Sequence, residues 1–177
     1  MKFSSYDEIV ENYMFLKTLV EESDESHFPY MSREEIKSEK RTIIKELQAD
    51  ASSFKLLTRF EADIRTDYNE TIKKKDSLSE KYNARCLKFR EKHKEYNKSR
   101  EEVCRKLSFN DILKELKSWF KENNNLLHQE CSNIKGAWHF RDWYAHGRYF
   151  KHEFPIPEPG DLEISCKDIV SEVINRY

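Results

Sequence analysis

Glycine and proline are scarce in this chain, which has three and four of them in 177 residues. Sandwiches and barrels need these residues at their many tight turns, because glycine allows positive φ angles and proline fixes φ. The chain also lacks any run of about 18 apolar residues, the length that a membrane-spanning helix requires. We therefore expect an all-α protein without a membrane segment, folded as a single domain over residues 1–177.

Capping residues predict where the first helices begin. Ser5 is placed to cap a helix over residues 6–22, and Ser32 with Glu35 has the spacing of a capping box. Apolar residues three and four positions apart then indicate the buried faces. These faces comprise Ile9, Tyr13, Leu16 and Val20 in the first helix and Phe54, Leu57, Phe60, Ile64, Tyr68 and Ile72 farther along the chain.

Three more helices are predicted in the last third of the chain. Ser108 caps the first of them, a second runs over about 126–149 before the prolines, and Ser165 caps the last, over 167–176. The apolar face of the first comprises Ile112, Leu113, Leu116, Trp119 and Phe120.

Residues 71–106 are basic, with thirteen Lys or Arg against six Asp or Glu, although the net charge of the chain is only −1. Large apolar residues recur there every seven positions, which favours a long charged helix or helical hairpin. The pattern fits both a projecting arm and a helix that lies flat on the rest of the domain. The residues of this pattern are Tyr82, Phe89, Tyr96 and Val103.

A basic surface on an otherwise acidic chain fits a polyanion such as RNA. The alternative is a solvated helix whose charges pair with one another one turn apart. The candidate RNA-binding residues are Lys73, Lys74, Lys75, Arg85, Lys88 and Arg90.

The helix after residue 126 carries the residues best suited to catalysis. Arg141 and His146 can flank a phosphate, and Asp142 is spaced to accept a proton from the His146 imidazole one turn later. A histidine exchanges protons near neutral pH, while an arginine supplies a permanent charge. This set suits RNA cleavage by the neighbouring 2′-hydroxyl, for which neither a metal ion nor another cofactor is expected.

A helical wheel separates two faces of the same helix. One face is expected to be buried and to use its glycines for close packing; the other is expected to be aromatic and cationic. The first comprises Gly136, Phe140, Trp143, Tyr144 and Gly147, and the second comprises Trp138, His139, Arg141, Asp142, Ala145, His146, Arg148 and Tyr149.

Other interpretations of these residues stay open. Arg141 can belong to a surface ion pair and His146 to the core, since such spacings occur by chance. A metal site would use some of His128, Cys131, His139, His146 and His152, and Cys131 is also a weak candidate nucleophile. The four cysteines match no zinc spacing, so reduced thiols in a cytoplasmic protein are expected.

The segment Phe140–Tyr149, with the sequence FRDWYAHGRY, resembles the signature helix of HEPN domains (higher eukaryotes and prokaryotes nucleotide-binding). Arg141, Asp142 and His146 match the arginine, polar residue and histidine of its RNase site. The segment Phe54–Tyr68 is similar to the early helix of bacterial members, where Glu61 and Arg65 would support the site. Arg148 stands where members held by a nucleotidyltransferase antitoxin often have a tyrosine, and Tyr149 follows it.

The resemblance implies an antiparallel up-and-down helical bundle that forms a homodimer through the signature helix, with a composite active site. Members of this family commonly act as toxins or antiphage effectors that cut tRNA or mRNA, leaving 2′,3′-cyclic phosphate and 5′-hydroxyl ends. A cognate antitoxin or a partner protein of a defence system is then expected. The alternative is a HEPN-like module that binds a partner protein or a nucleotide and cuts nothing.

Overall fold

A computed structural model describes residues 4–145 and 155–175, apart from the side chains at 53 and 143–145. The regular secondary structure of these residues consists of helices joined by loops, without strands, as the composition predicts. No helix among them is both long enough and apolar enough to cross a membrane. The helices are α1 (Tyr6–Glu22), α2 (Arg33–Ala49), α3 (Leu57–Thr71), α4 (Ser77–Lys92), α5 (Arg100–Cys104), α6 (Phe109–Asn123), α7 (Asn125–Ala145) and α8 (Pro159–Asn175), with a 3₁₀ turn at Glu25–His27 and a π-helical turn at Asp50–Leu56.

The described residues divide into two compact units. The first unit comprises residues 4–59, 136–145 and 155–166, and the second comprises 60–135 and 167–175.

The predicted cap at Ser5 and the predicted capping box at Ser32 are both confirmed in the first unit, and Ser5 forms a capping box as well. The Ser5 hydroxyl accepts a hydrogen bond from the Glu8 backbone N–H, and the Glu8 carboxylate accepts one from the Ser5 N–H. Ser32 and Glu35 repeat the arrangement at the start of α2. Each box satisfies backbone donors that the first turn of a helix cannot satisfy by itself.

The predicted apolar face of α1 is confirmed only in its first half. Ile9 and Tyr13 are buried, whereas Leu16 is 39% exposed and Val20 is half-buried. α1 contacts α2 and the π-helical turn. The prediction that Phe54 is buried is also wrong, since Phe54 is exposed. The π-helical turn around Phe54 has more residues per turn than an α-helix, so Phe54 does not share the buried face of Leu57.

In the second unit the predicted face of α6 is confirmed at every position, and Ser108 caps the helix by accepting from the Asp111 N–H. Residues 71–106 form α4 and the one-turn α5 instead of a long helix. α4 packs against α5 and α6, and Tyr82 is fully buried. Within this unit the basic segment therefore lies flat against the neighbouring helices.

The last helix begins earlier than predicted. α8 starts at Pro159, so that Ser165 lies inside the helix and is not its cap. Proline is favoured in the first turn of a helix because its fixed φ angle is already helical and its missing N–H would have no partner there.

Candidate functional site

Arg141 lies in the last described turn of α7, where it sits on an aromatic side chain. Its Cζ atom is 4.4 Å from the centroid of the Trp138 ring, one turn earlier, and Trp138 is buried. The Nε atom of Arg141 is buried and has no hydrogen-bond partner among the described residues. A guanidinium stacked on a ring in this way keeps its charge while losing side-chain freedom.

Asp142 is the nearest acid to this guanidinium in the described part of α7. Its Oδ1 atom lies 3.5 Å from Nη1 of Arg141, at the limit of a hydrogen bond, and both side chains are partly exposed. His146, Arg148 and Tyr149 lie outside the described residues. The predicted contact of Asp142 with His146 therefore stays a prediction.

The two faces predicted for α7 need correction. Phe140 is buried as expected, but Trp138, assigned to the functional face, is buried as well. The Trp138 ring contacts the Arg141 guanidinium in place of solvent, and this contact accounts for its burial on the predicted functional face. Gly136 does not serve close packing either: it is exposed, and a Cβ atom there would meet nothing within 4 Å.

The segment 155–158, which leads into α8, is anchored within the first unit. The Gln48 amide donates to the Ile156 and Pro157 carbonyls and to the Glu158 carboxylate, at 3.2–3.3 Å. The buried Ser52 hydroxyl is 2.7 Å from the Pro157 carbonyl. Prolines donate no backbone hydrogen bond, so these side chains supply the contacts that hold the segment.

Glu61 and Arg65, expected to support the site, form an ion pair in the second unit. Nε of Arg65 donates to the Glu61 carboxylate at 2.7 Å. The guanidinium also lies 5.6 Å from the Phe109 ring centroid. The pair has the one-turn spacing that the resemblance implies, and its guanidinium is held from two sides.

The six candidate RNA-binding residues form two groups by position, three on α4 and three in the loop before it. Arg85 is paired with Asp111 and lies 3.9 Å from Glu115, and Arg90 donates to the Tyr96 carbonyl. Lys88 is exposed on α4. The lysines at 73–75 instead line a cavity of about 480 Å³, together with Arg100.

Sequence reasoning missed Arg100, which lies outside any apolar pattern and whose position depends on tertiary contacts. Its Nε donates to the Asn83 side-chain oxygen at 3.0 Å, and its Nη2 donates to the Ile72 carbonyl at 3.2 Å.

The cysteines differ from the expected four reduced thiols. Cys86 on α4 and Cys104 on α5 form a disulfide with their Cα atoms 5.2 Å apart, because the packing of the two helices brings together residues 18 apart in sequence. Cys131 and Cys166 are buried and do not take part in this disulfide. Burial raises the pKa of Cys131 to about 12, so its thiol is protonated at neutral pH and unsuited to nucleophilic attack.

Histidines offer little support for a metal centre in the part of the chain that the structure covers. No group of three or more His, Cys, Asp or Glu side chains is placed there to hold an ion. His146 and His152, which the metal interpretation needs, lie outside this part.

No family model, curated protein or solved structure matches this chain.

Proposed function

We propose that this chain is a metal-independent endoribonuclease of the HEPN type, a toxin or antiphage effector that cuts tRNA or mRNA. The observation that carries the proposal is the guanidinium of Arg141, seated on the buried Trp138 and followed five residues later by His146. A fixed cation and a titratable base near each other are the two groups that 2′-hydroxyl attack requires.

In the proposed reaction the 2′-oxygen of a ribose bonds to the adjacent phosphorus, and the bond from phosphorus to the 5′-oxygen breaks. His146 takes the proton of the 2′-hydroxyl. An imidazolium, His146 of the partner subunit in a homodimer, gives a proton to the departing 5′-oxygen. The products are a 2′,3′-cyclic phosphate and a 5′-hydroxyl.

Arg141 stabilises the additional negative charge on the phosphorane oxygens. The Trp138 ring below it limits its rotamers, so little freedom is lost when the phosphate arrives.

The test is to incubate wild-type protein and His146→Ala with total tRNA and mRNA in excess EDTA and to identify the fragment ends. Cyclic phosphate ends that depend on His146 are expected. His139→Ala is the matched control, since His139 is an exposed histidine of α7 that precedes His146 by seven residues in sequence. Cleavage that persists in His146→Ala, or disappears with EDTA, would contradict the proposal.

Intact RNA with every protein would favour the alternative function, a HEPN-like module that binds a partner protein. One observation supports that alternative: α1 exposes Met14, Phe15 and Leu19, with 48–62% of their surface accessible. Exposed apolar residues grouped on one helix are typical of interaction surfaces.

The proposed homodimer through α7 has its own test. Gly136 is exposed and a Cβ atom there meets nothing within 4 Å, so the larger side chain of Gly136→Trp is expected to extend into solvent in the protomer. The substitution is expected to convert a dimer into a monomer in light scattering. A dimer of unchanged stability would place the interface elsewhere.

A further inference from the structure

Two adjacent cavities in the second unit form one groove between the end of α3, the loop 72–75 and α5. The larger, of about 480 Å³, is lined by residues 72–75, 99–101 and 104. The smaller, of about 280 Å³, shares Ile72, Lys73 and Glu101 with it and adds Asn69 and Arg105.

The groove is strongly cationic. Its positive residues are Lys73, Lys74, Lys75, Arg100 and Arg105, while Glu101 is the one acid among its described lining residues. Lys73 is paired with the exposed Glu70 at 2.9 Å, a contact that solvent weakens. Several like charges around one concavity favour an anionic ligand.

Arg100 is held in place by neutral groups. Its two hydrogen bonds go to the Asn83 side-chain oxygen and the Ile72 carbonyl, and neither acceptor neutralises its charge. Asn83 in turn donates to Ser79 at 3.1 Å, and Ser79 donates to the Lys74 carbonyl at 2.7 Å. This chain of bonds ties the guanidinium to the lysine loop and leaves its other N–H groups for a ligand.

The lining also indicates what kind of anion fits. No aromatic ring occurs among the described residues that line the groove, so a base has no surface on which to stack. Five cations around one groove suit the several phosphates of a nucleic-acid backbone, whereas a compact single anion would need only some of them.

We propose that this groove binds the sugar-phosphate backbone of RNA, independently of its sequence, with Arg100 and Lys75 contacting phosphates. That the strand is RNA rests on the proposed function, whereas the affinity for phosphate rests on the groove alone. In this proposal the groove contributes to RNA binding and takes no part in the cleavage chemistry.

The experiment measures the fluorescence anisotropy of labelled single-stranded RNAs of two unrelated sequences, using His146→Ala as a non-cleaving background. Arg100→Gln and Lys75→Gln are each expected to weaken binding about tenfold for both RNAs and to lower the salt slope by about one. Lys75 is exposed, so its substitution keeps the test valid if Arg100→Gln unfolds. The control is Lys121→Gln, an exposed lysine on α6 outside the groove.

Unchanged affinity and salt slope in both variants would overturn the inference while leaving the nuclease proposal intact. Conversely, RNA that stays intact with the wild-type protein would overturn the nuclease proposal without changing the binding result. Inorganic phosphate and AMP are tested as competitors. Displacement of RNA by AMP at equal concentration would assign the groove to a free nucleotide and overturn the assignment to RNA.

Discussion

Arg141 and Trp138 stand one turn apart on α7, and the guanidinium carbon lies 4.4 Å from the indole centroid. The ring is buried, while the arginine side chain keeps 27% of its surface exposed. The tryptophan thus anchors the helix and at the same time supports a charge at the surface. One aromatic residue thereby connects the packing of the first unit with its proposed chemistry.

Arg141→Lys tests whether the shape of this cation matters as well as its charge. Lysine keeps the charge but has neither the planar fork nor the stacking surface of arginine. We expect the rate of RNA cleavage to fall about a hundredfold, as when one oxyanion donor is removed, with an almost unchanged melting temperature. Arg33→Lys, at an exposed ion pair with Glu25, is the control and should cleave normally. Equal cleavage rates for Arg141→Lys and wild type would mean that the arginine contributes only its positive charge.

The Arg85–Asp111 pair gives a prediction about stability and pH. Burial acts to raise the pKa of Asp111, but hydrogen bonds from Arg85 and Ser108 together outweigh it and hold the pKa below its ordinary value. An acid with a lowered pKa in the folded state stabilises the fold above its unfolded pKa, near 3.9. Arg85→Gln should therefore lower the free energy of unfolding by about 1–2 kcal/mol at pH 7.

The pH dependence distinguishes this pair from a general loss of packing. As the pH falls below about 4, the stability contributed by ionised Asp111 is lost, and wild type and Arg85→Gln should converge. Urea titrations at several pH values measure this difference. Lys88→Gln, exposed and one turn later on α4, should match wild type throughout. A difference that is the same at pH 3 and pH 7 would mean that Asp111 is not the partner that matters.

Local signals in the sequence predicted the helices well. Ser5, Ser32 and Ser108 cap where their side chains can reach the free N–H groups of the next turn, a relationship confined to four residues. The face of α6 followed its apolar spacing because the helix is regular from end to end. Such features need no knowledge of the rest of the chain.

Features that depend on tertiary contacts were not predictable. Phe54 follows the spacing of a buried residue, but the π-helical turn around it changes the register. Arg100 is placed by Asn83 and Ile72, which are 17 and 28 residues away in sequence. For the candidate site, the sequence indicates the residue types of α7, whereas the seating of Arg141 on Trp138 emerges only from the packed helix.

Gly136 should tolerate and benefit from a side chain. It lies inside α7, where glycine is less favourable than alanine by about 0.5–1 kcal/mol, and a Cβ atom would meet nothing within 4 Å. We expect Gly136→Ala to raise the free energy of unfolding of the protomer by that amount in chemical denaturation. Unfolding is measured at a concentration at which the protein is monomeric, and a loss of stability there would contradict the expectation.

The disulfide between α4 and α5 gives the last prediction. Cross-linking residues 18 apart restricts the unfolded chain, which in the chain-entropy model stabilises the fold by about 3 kcal/mol. The Tyr68 hydroxyl, which donates to the Cys104 carbonyl at 3.0 Å, holds the same junction in the reduced protein. Reducing agent should therefore lower the melting temperature without unfolding the second unit.

The double variant Cys86→Ala, Cys104→Ala separates the cross-link from other effects of the reductant. It should melt near the temperature of reduced wild type and should not respond to dithiothreitol, because Cys131 and Cys166 are buried thiols outside the disulfide. Mass spectrometry of the alkylated, unreduced protein measures the bond directly. A wild-type melting temperature that ignores the reductant would mean that the two thiols contribute by packing alone. Because Cys104 lines the cationic groove, RNA affinity measured in both redox states would then show whether the cross-link also shapes that surface.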